Sequence, residues 1–419
     1  MTQVPGPLPI LQGSVADAEA GHSVADECLE VRVAGLLRTD IEALARRFDT
    51  PLLVLDPGRL TDAYQTLTAA LPGVSLHYAV KAFPHASAIR VLDGLGASFD
   101  VASVGELDLV ADAGVGAQRV IYTHPIKRPR DIERALGFGC ETVVVDNTEE
   151  LLKLLPFREQ LDVLVRVSFR NRDARVDLSR KFGCDPEDAE RLIQQSVELG
   201  IRVRGLAFNV GSQVGGANAY VQAIDWCRQL IANAPAGVQM RTLDIGGGFP
   251  ADYQGGLGSM VDFCAPIREA LQRMPADVEI VAEPGRSLVA GAVTLITSVI
   301  GKSWRQGRLW YYLDDGLYGS YSGRVYDNAD SRFLTLKRGM ELPSVLAGPT
   351  CDSFDLLAED VMLPELEVGD LIISPMMGAY TSASASDFNS LRRARVVSLS
   401  VLRHGRASNG RAPVVAVSP

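Results

Sequence analysis

Residues 186–208 read PEDAERLIQQSVELGIRVRGLAF. Pro186 suits the first turn of a helix, the spacing through Leu199 is helical, and Gly200 stops it just before the β-rich run VRGLAF. The same alternation extends in both directions, from about Thr50 to Arg286. The runs PLLVL, LHYAV, SFDV, RVIYT, TVVV, LDVLVRV, VRGLAF, RTLDI and EIVA recur between helical segments, of which Asp131 to Leu136 is another. Such alternation implies parallel strands joined by crossover helices. About eight repeats in some 235 residues match a (β/α)8 TIM barrel better than an open sheet. One of the nine runs is then an entry strand or a misreading.

Beyond Arg286 the pattern changes. SLVAGAVTLITSVI, RLWYYLD, DLIIS, RARVVSLSVL and APVVAVS are β-rich and joined by Gly, Pro and Asp turns, which predicts an all-β C-terminal domain, a barrel or sandwich. LEVRVAGL, within the first 45 residues, is strand-like and is expected to pair into that domain. The predicted organisation is an N-terminal segment over residues 1–46 that joins the β domain, an α/β barrel over 47–287, and the β domain over 288–419.

The 419 residues include 41 basic and 51 acidic side chains, a net charge of −10, with 47% hydrophobic and 22% charged residues. That is ordinary globular composition and excludes a largely disordered or fibrous chain. The negative balance gives no electrostatic reason to approach nucleic acid or an anionic membrane. Six scattered cysteines (Cys28, Cys140, Cys184, Cys227, Cys264, Cys351) without a Cys-x-x-Cys pair fit a reducing compartment. The start, MTQVPGPLPILQGSVADAEAGH, lacks the basic and apolar regions of a signal peptide. Ser287 to Gly301 is too short and too interrupted to span a bilayer. A cytoplasmic protein with a small-molecule partner is expected, and no metal site.

Of six lysines, Lys81 stands apart, at the C-terminal end of the apolar run HYAVKAF, where barrel enzymes place catalytic groups. A snorkelling or ion-paired lysine is the bland alternative. LDIGGGFP puts Gly246, Gly247 and Gly248 beyond a late strand, and VAEPGRS puts Glu283, Gly285 and Arg286 beyond the next. Loops in these places commonly build a phosphate site, to which Arg286 adds a charged fork. Three glycines also serve a tight turn, and the run fails the G-x-G-x-x-G spacing, which disfavours a dinucleotide fold. A strand-end lysine, an anion cradle and an acid are the parts that pyridoxal 5′-phosphate requires, the lysine for its aldehyde and the acid, Glu283, for its ring nitrogen.

Taken in order between Pro51 and Asn389, the strings YAVKA, FDVAS, VGSQ, DIGGGFP, EPGR, GPTCDSFD and MGAYT resemble the fold-type III pyridoxal-phosphate decarboxylases, the family of ornithine, lysine, arginine and diaminopimelate decarboxylases. YYLDDGLYGSYSGRVYD and LPELEVGD lean towards the eukaryotic-type ornithine decarboxylase branch. The resemblance implies that Lys81 carries the cofactor as a Schiff base, Asp100 lies near it, and Glu283 pairs with the ring nitrogen. It assigns the phosphate to Ser212, Gly247, Gly248, Arg286 and Tyr380. It also implies a homodimer in which Cys351 and Asp352 reach the site from the partner subunit, Cys351 returning a proton to Cα. A lone cysteine is otherwise a small buried hydrophobe.

Asp327 and Asp352 match positions that bind a distal amine, which favours ornithine or lysine over diaminopimelate. Lys181 and Asp355 match an ion pair across the dimer interface. Arg324, three residues before Asp327, is expected to pair with it at the surface, the alternative being a substrate carboxylate. The departure from the family is Asn209, where a histidine usually precedes V-G-S-Q; no histidine lies between His124 and His404, and an amide cannot titrate near neutral pH. His77 and His85 flank Lys81, and an offset of four keeps His77 on its face, where a packed strand residue is expected. The implied function is decarboxylation of a basic L-amino acid to a diamine. The rivals are a decarboxylase of a modified diamino acid in a natural-product or siderophore pathway, and a catalytically silent regulator of polyamine metabolism, against which the retention of Lys81, Glu283, Arg286 and Cys351 argues.

Overall fold

The computed structural model describes residues 32–402 except 172, 177, 236 and 328. The readings of the N-terminal stretch, of Cys28 and of the run APVVAVS lie outside the described residues.

Eight parallel strands close a barrel: Val74–Ala79, Ser98–Val101, Val120–Tyr122, Thr142–Val145, Asp162–Ser168, Arg202–Asn209, Thr242–Asp244 and Glu279–Ala282, the last pairing back onto the first. The helices between them begin where the local chemistry satisfies their first N–H groups. Pro129–Phe138 and Pro186–Glu198 open on proline. Others open on side-chain caps: Asp56 accepts from Gly58 N at 2.9 Å, Ser103 from Glu106 N, and Asn147 from Glu150 N.

PLLVL is the run that stays out of the barrel. Its strand Leu52–Leu55 lies antiparallel to Val293–Ile296 and parallel to Arg395–Ser398, inside the C-terminal sheet. All four residues are buried. Leu52 and Val54 meet Ile41 and Leu44 of the helix Arg38–Phe48, while Leu53 and Leu55 join the main core. A strand buried on both faces reads as a continuous apolar run in either kind of sheet, so its neighbours alone decide where it belongs.

The C-terminal sheet runs, in spatial order, Leu334–Thr335, Leu371–Ser374, Val293–Arg305, Arg308–Leu313, Glu341–Ala347 and Leu356–Pro364. The run after Arg286 is not strand at once: Arg286–Val289 forms a helical turn and Ala290–Ala292 a 3-10 turn before the long strand starts at Val293. The described part of LEVRVAGL pairs with itself, Arg32–Val33 against Leu36–Leu37, and not with the sheet. Barrel and sheet share one core, since Leu60, Phe83, Leu288, Val293, Met377 and Ala379 belong to a single buried cluster. Inside the barrel, Val144, Leu164 and Ala207 form a separate apolar plug. Two residues further along their strands come Arg166 and Asn209, which strand alternation places on the same inner side, towards the C-terminal mouth.

Candidate active site

Lys81 sits in the short turn Val80–Ala82 that follows the first barrel strand. Its Nζ donates to the carboxylate of Asp100, which is fully buried and also accepts the Thr123 hydroxyl. Burial alone would lower the amine; Asp100, Glu283 and Tyr380 outweigh it and hold Lys81 above its usual range. The side chain nevertheless keeps 38% of its surface accessible, so the amine faces an open barrel mouth.

Across the mouth, Arg286 is 5% exposed and fully committed at both Nη atoms. It donates to Tyr253 OH at 2.9 Å, to Ser212 Oγ at 2.8 Å and to Asp327 Oδ1 at 2.7 Å, and its Nη1 lies 2.6 Å from Asp327 Oδ2 as an ion pair. Its Nε is buried without a partner. Burial works against the guanidinium, but Asp327 and Tyr253 keep it firmly charged. The glycine run lies alongside. Gly248 has φ +107°, and a Cβ on Gly247 would come within 2.7 Å of Glu283 O, so only glycine lets the backbone pass there. Gln213 clamps the VGSQ loop to Ala251 through both its amide atoms. Tyr380 N donates to Ala82 O at 2.9 Å, and its ring lies 5.0 Å from the Arg286 guanidinium. Tyr380 holds φ +54°, which costs roughly 1–2 kcal/mol for an L-residue. The β-domain segment therefore closes the site from above Lys81 and Arg286 together.

Glu283 follows the last barrel strand and Asp244 ends the one before it. Asp244 is wholly buried and its carboxyl meets that of Glu283. Burial and then the neighbouring charges push both above the usual carboxylate range, Asp244 furthest.

Several expected residues stand elsewhere. Cys351 is exposed, with Asn389 accepting from its N–H at 3.1 Å and donating to Sγ at 3.4 Å. Asp352 accepts from Phe354 N and the Tyr318 hydroxyl, which hold it below the usual carboxylate range. Among the described residues no contact joins either to Lys81. Asp327 is spent on Arg286, so the expected surface pair with Arg324 does not form: Arg324 makes no ion pair among the described residues and lies over the Phe333 ring at 6.0 Å. Asp355 is held by its own loop within one chain. It is 3% exposed and accepts from Leu317 N, Thr350 N and Thr350 Oγ1 at 2.7, 3.1 and 2.7 Å. It packs so closely on Gly316 and Gly348 that a Cβ on either would strike it; Lys181 is exposed beside Phe182.

His77 is buried in its strand, where burial lowers it to about 4. His85 caps the next helix by accepting from Ser87 N. Asn209 Oδ1 accepts from Gly211 N at 2.9 Å, bracing the loop that carries Ser212. Asp244, Thr123 and Tyr253 were missed from sequence. Asp244 lay inside LDIGGGFP, and its alternation with Thr242 was a usable signal; Thr123 and Tyr253 carried none.

The residues fit pyridoxal phosphate. The orphaned Arg286 Nε, the Ser212 hydroxyl and a glycine backbone that a Cβ would block form an anion cradle. The amine and the acid pair, Glu283 backed by the buried Asp244, supply the partners that the aldehyde and the ring nitrogen need. A barrel with this set on its C-terminal rim defines a pyridoxal-phosphate enzyme. Residues 57–290 match the model of the family described as pyridoxal-dependent decarboxylase, pyridoxal binding domain. The chain belongs to the pyridoxal-dependent decarboxylases. The lysine/ornithine decarboxylase of Selenomonas ruminantium is 38% identical over 358 residues, 84% of this chain and 91% of the relative. Antizyme inhibitor 2 of Xenopus laevis is 36% identical over 363 residues, 82% and 79% of the two chains. The crystal structure of lysine/ornithine decarboxylase from Vibrio vulnificus with cadaverine matches with TM-score 0.82 and 48% identity, covering 85% of this chain and 97% of that one. Among the described residues no helix is long and apolar enough to cross a membrane.

Proposed function

We propose that the protein decarboxylates lysine or ornithine to the corresponding diamine, acting as a cytoplasmic homodimer with shared active sites. The observation that carries this is the Lys81–Asp100 pair set between the Asp244–Glu283 acids and the Arg286 cradle. Bound pyridoxal phosphate supplies an electron sink for the bond between Cα and the carboxylate. The chain's own groups do the rest. Arg286, Ser212 and the glycine backbone would hold the phosphate end, Glu283 would pair with the ring nitrogen, and Lys81 Nζ, steadied by Asp100, would hold the aldehyde end. Cys351 of the partner subunit returns the proton to Cα at its Sγ, and its neighbour Asp352, held anionic, receives the distal ammonium.

The rim supports the dimer. Tyr326, Phe354, Phe388 and Leu391 are 72%, 60%, 39% and 40% exposed. Phe388 stacks on Tyr318, whose hydroxyl binds Asp352, so an apolar patch surrounds the residues that have no role within one chain. The five described cysteines are all free, in keeping with a reducing compartment.

Product analysis after incubation with lysine, ornithine, arginine and diaminopimelate tests the substrate; absence of any amine overturns it. Mixing inactive Lys81→Ala and Cys351→Ala proteins tests the sharing. Random reassortment makes half the dimers mixed, each with one intact site, so activity returns to roughly a quarter of wild type; no recovery with proven subunit exchange overturns shared sites. A second reading rests on Arg324, half-buried and without an ion pair among the described residues: a modified diamino acid bearing a distal carboxylate. Such a compound belongs in the same panel.

Asn209 makes a separate prediction. Burial lowers His77 to about 4 and holds His85 and His124 below their usual range as well. In Asn209→His the kcat profile gains an inflection at roughly pH 6.5 that wild type lacks, read from initial rates across pH.

A further inference from the structure

Asp244 is not explained by packing. It is wholly buried at the end of strand Thr242–Asp244. Oδ1 accepts from Gly246 N at 2.8 Å, but Oδ2 has no donor at all. What it meets instead is the carboxyl of Glu283. The two strand ends are locked together: Ile245 N donates to Val281 O and Glu283 N to Gly246 O, both at 2.9 Å. Two carboxylates held this close in a buried site cannot both ionise, and a single proton shared between them turns repulsion into a hydrogen bond.

The surroundings decide which one carries the proton. Glu283 feels the cations Lys81 and Arg166 as well as the anion Asp100. Asp244 feels chiefly the anion Glu283 and, less, Asp100, with the Gly246 N–H as compensation. Charge therefore favours the anion on Glu283 and the proton on Asp244 Oδ2, the oxygen that lacks any donor.

We propose that Asp244 is a positioning residue: a neutral carboxylic acid that donates a hydrogen bond to Glu283 and so keeps Glu283 anionic towards the cofactor ring nitrogen. The inference rests on the reading of Glu283 as the ring-nitrogen partner. Without the donated proton, Glu283 would take a proton itself and the ring nitrogen would lose its counter-charge. Asparagine at 244 keeps the donor and the shape; leucine keeps only the volume.

The first measurement uses apoprotein. An infrared difference spectrum, wild type minus Asp244→Asn near neutral pH, is expected to show the carbonyl stretch of a protonated carboxylic acid; its absence overturns the proposal and does not depend on cofactor. The second uses holoenzyme reconstituted with pyridoxal phosphate labelled with 15N in the ring. Wild type and Asp244→Asn give the resonance of a protonated ring nitrogen, while Asp244→Leu shifts towards the unprotonated form and binds the cofactor roughly tenfold more weakly. An unshifted Asp244→Leu resonance, or an Asp244→Asn resonance that shifts as far, sinks the idea. If Asp244→Leu does not fold, the infrared band and the Asp244→Asn resonance still decide. A Glu283→Gln resonance identical to wild type, with the infrared band present, would instead remove the assignment of Glu283.

Discussion

Lys81→Ala holoenzyme loses decarboxylation by at least about 10³-fold, and so does Lys81→Arg. The two variants separate chemistry from structure. Alanine removes both the attaching amine and the cation opposite a carboxylate that is 0% exposed. Arginine keeps the cation for Asp100 but, being always protonated, cannot condense with an aldehyde. The alanine protein should therefore also be less stable, by about 1–2 kcal/mol because Lys81 is itself partly solvated, whereas the arginine protein unfolds close to wild type. Denaturant melts of the apoproteins measure the second effect. Borohydride treatment of wild-type holoprotein followed by peptide mass analysis should place the pyridoxyl group on Lys81. The buried lysine among the described residues is Lys127, whose ammonium is held by the carbonyls of His124, Pro125 and Val144 at 3.0, 2.9 and 2.5 Å. A label there, or on any lysine other than Lys81, would remove the foundation of the proposed mechanism.

Arg286→Met carries the second large effect, and it splits into two parts. Asp327, 9% exposed, has both oxygens on Arg286. Removing the guanidinium leaves that carboxylate buried and unpaired, at a cost of about 3–5 kcal/mol. The same substitution removes the charged end of the phosphate cradle, weakening pyridoxal phosphate by roughly 10²-fold. Arg286→Met combined with Asp327→Leu restores most of the stability, since an apolar pair replaces an ionic one of similar volume, but leaves the cofactor weakly bound. Denaturation of apoprotein and equilibrium dialysis of the cofactor read the two parts independently. Wild-type stability in Arg286→Met alone would mean that the Asp327 pair is not made.

The barrel was legible because a strand that must be followed by a crossover helix imposes two periods in turn, and LHYAV through EIVA kept them. PLLVL was not, because being buried on both faces erases the alternation that would have shown which sheet it joins. The site was legible where chemistry demands a rare residue in a rare place: a lysine closing an apolar strand, three glycines after another, an arginine after Glu283. The partner of Arg324 was not legible for a physical reason. A charged residue three positions from another, or one in a familiar string, does not announce which charge lies nearest when the chain folds. Asp327 lies against Arg286, forty-one residues away in sequence, and Asp355 faces its own loop.

By itself the sequence determined the architecture and the cofactor, since periodicity and motif are properties of neighbours along the chain. Only the tertiary structure decided the pairing of charges: Arg286 with Asp327, Lys81 with Asp100, and Asp244 against Glu283. Those choices depend on distances across the barrel mouth and on how little water reaches it, and neither is a property of neighbours along the chain.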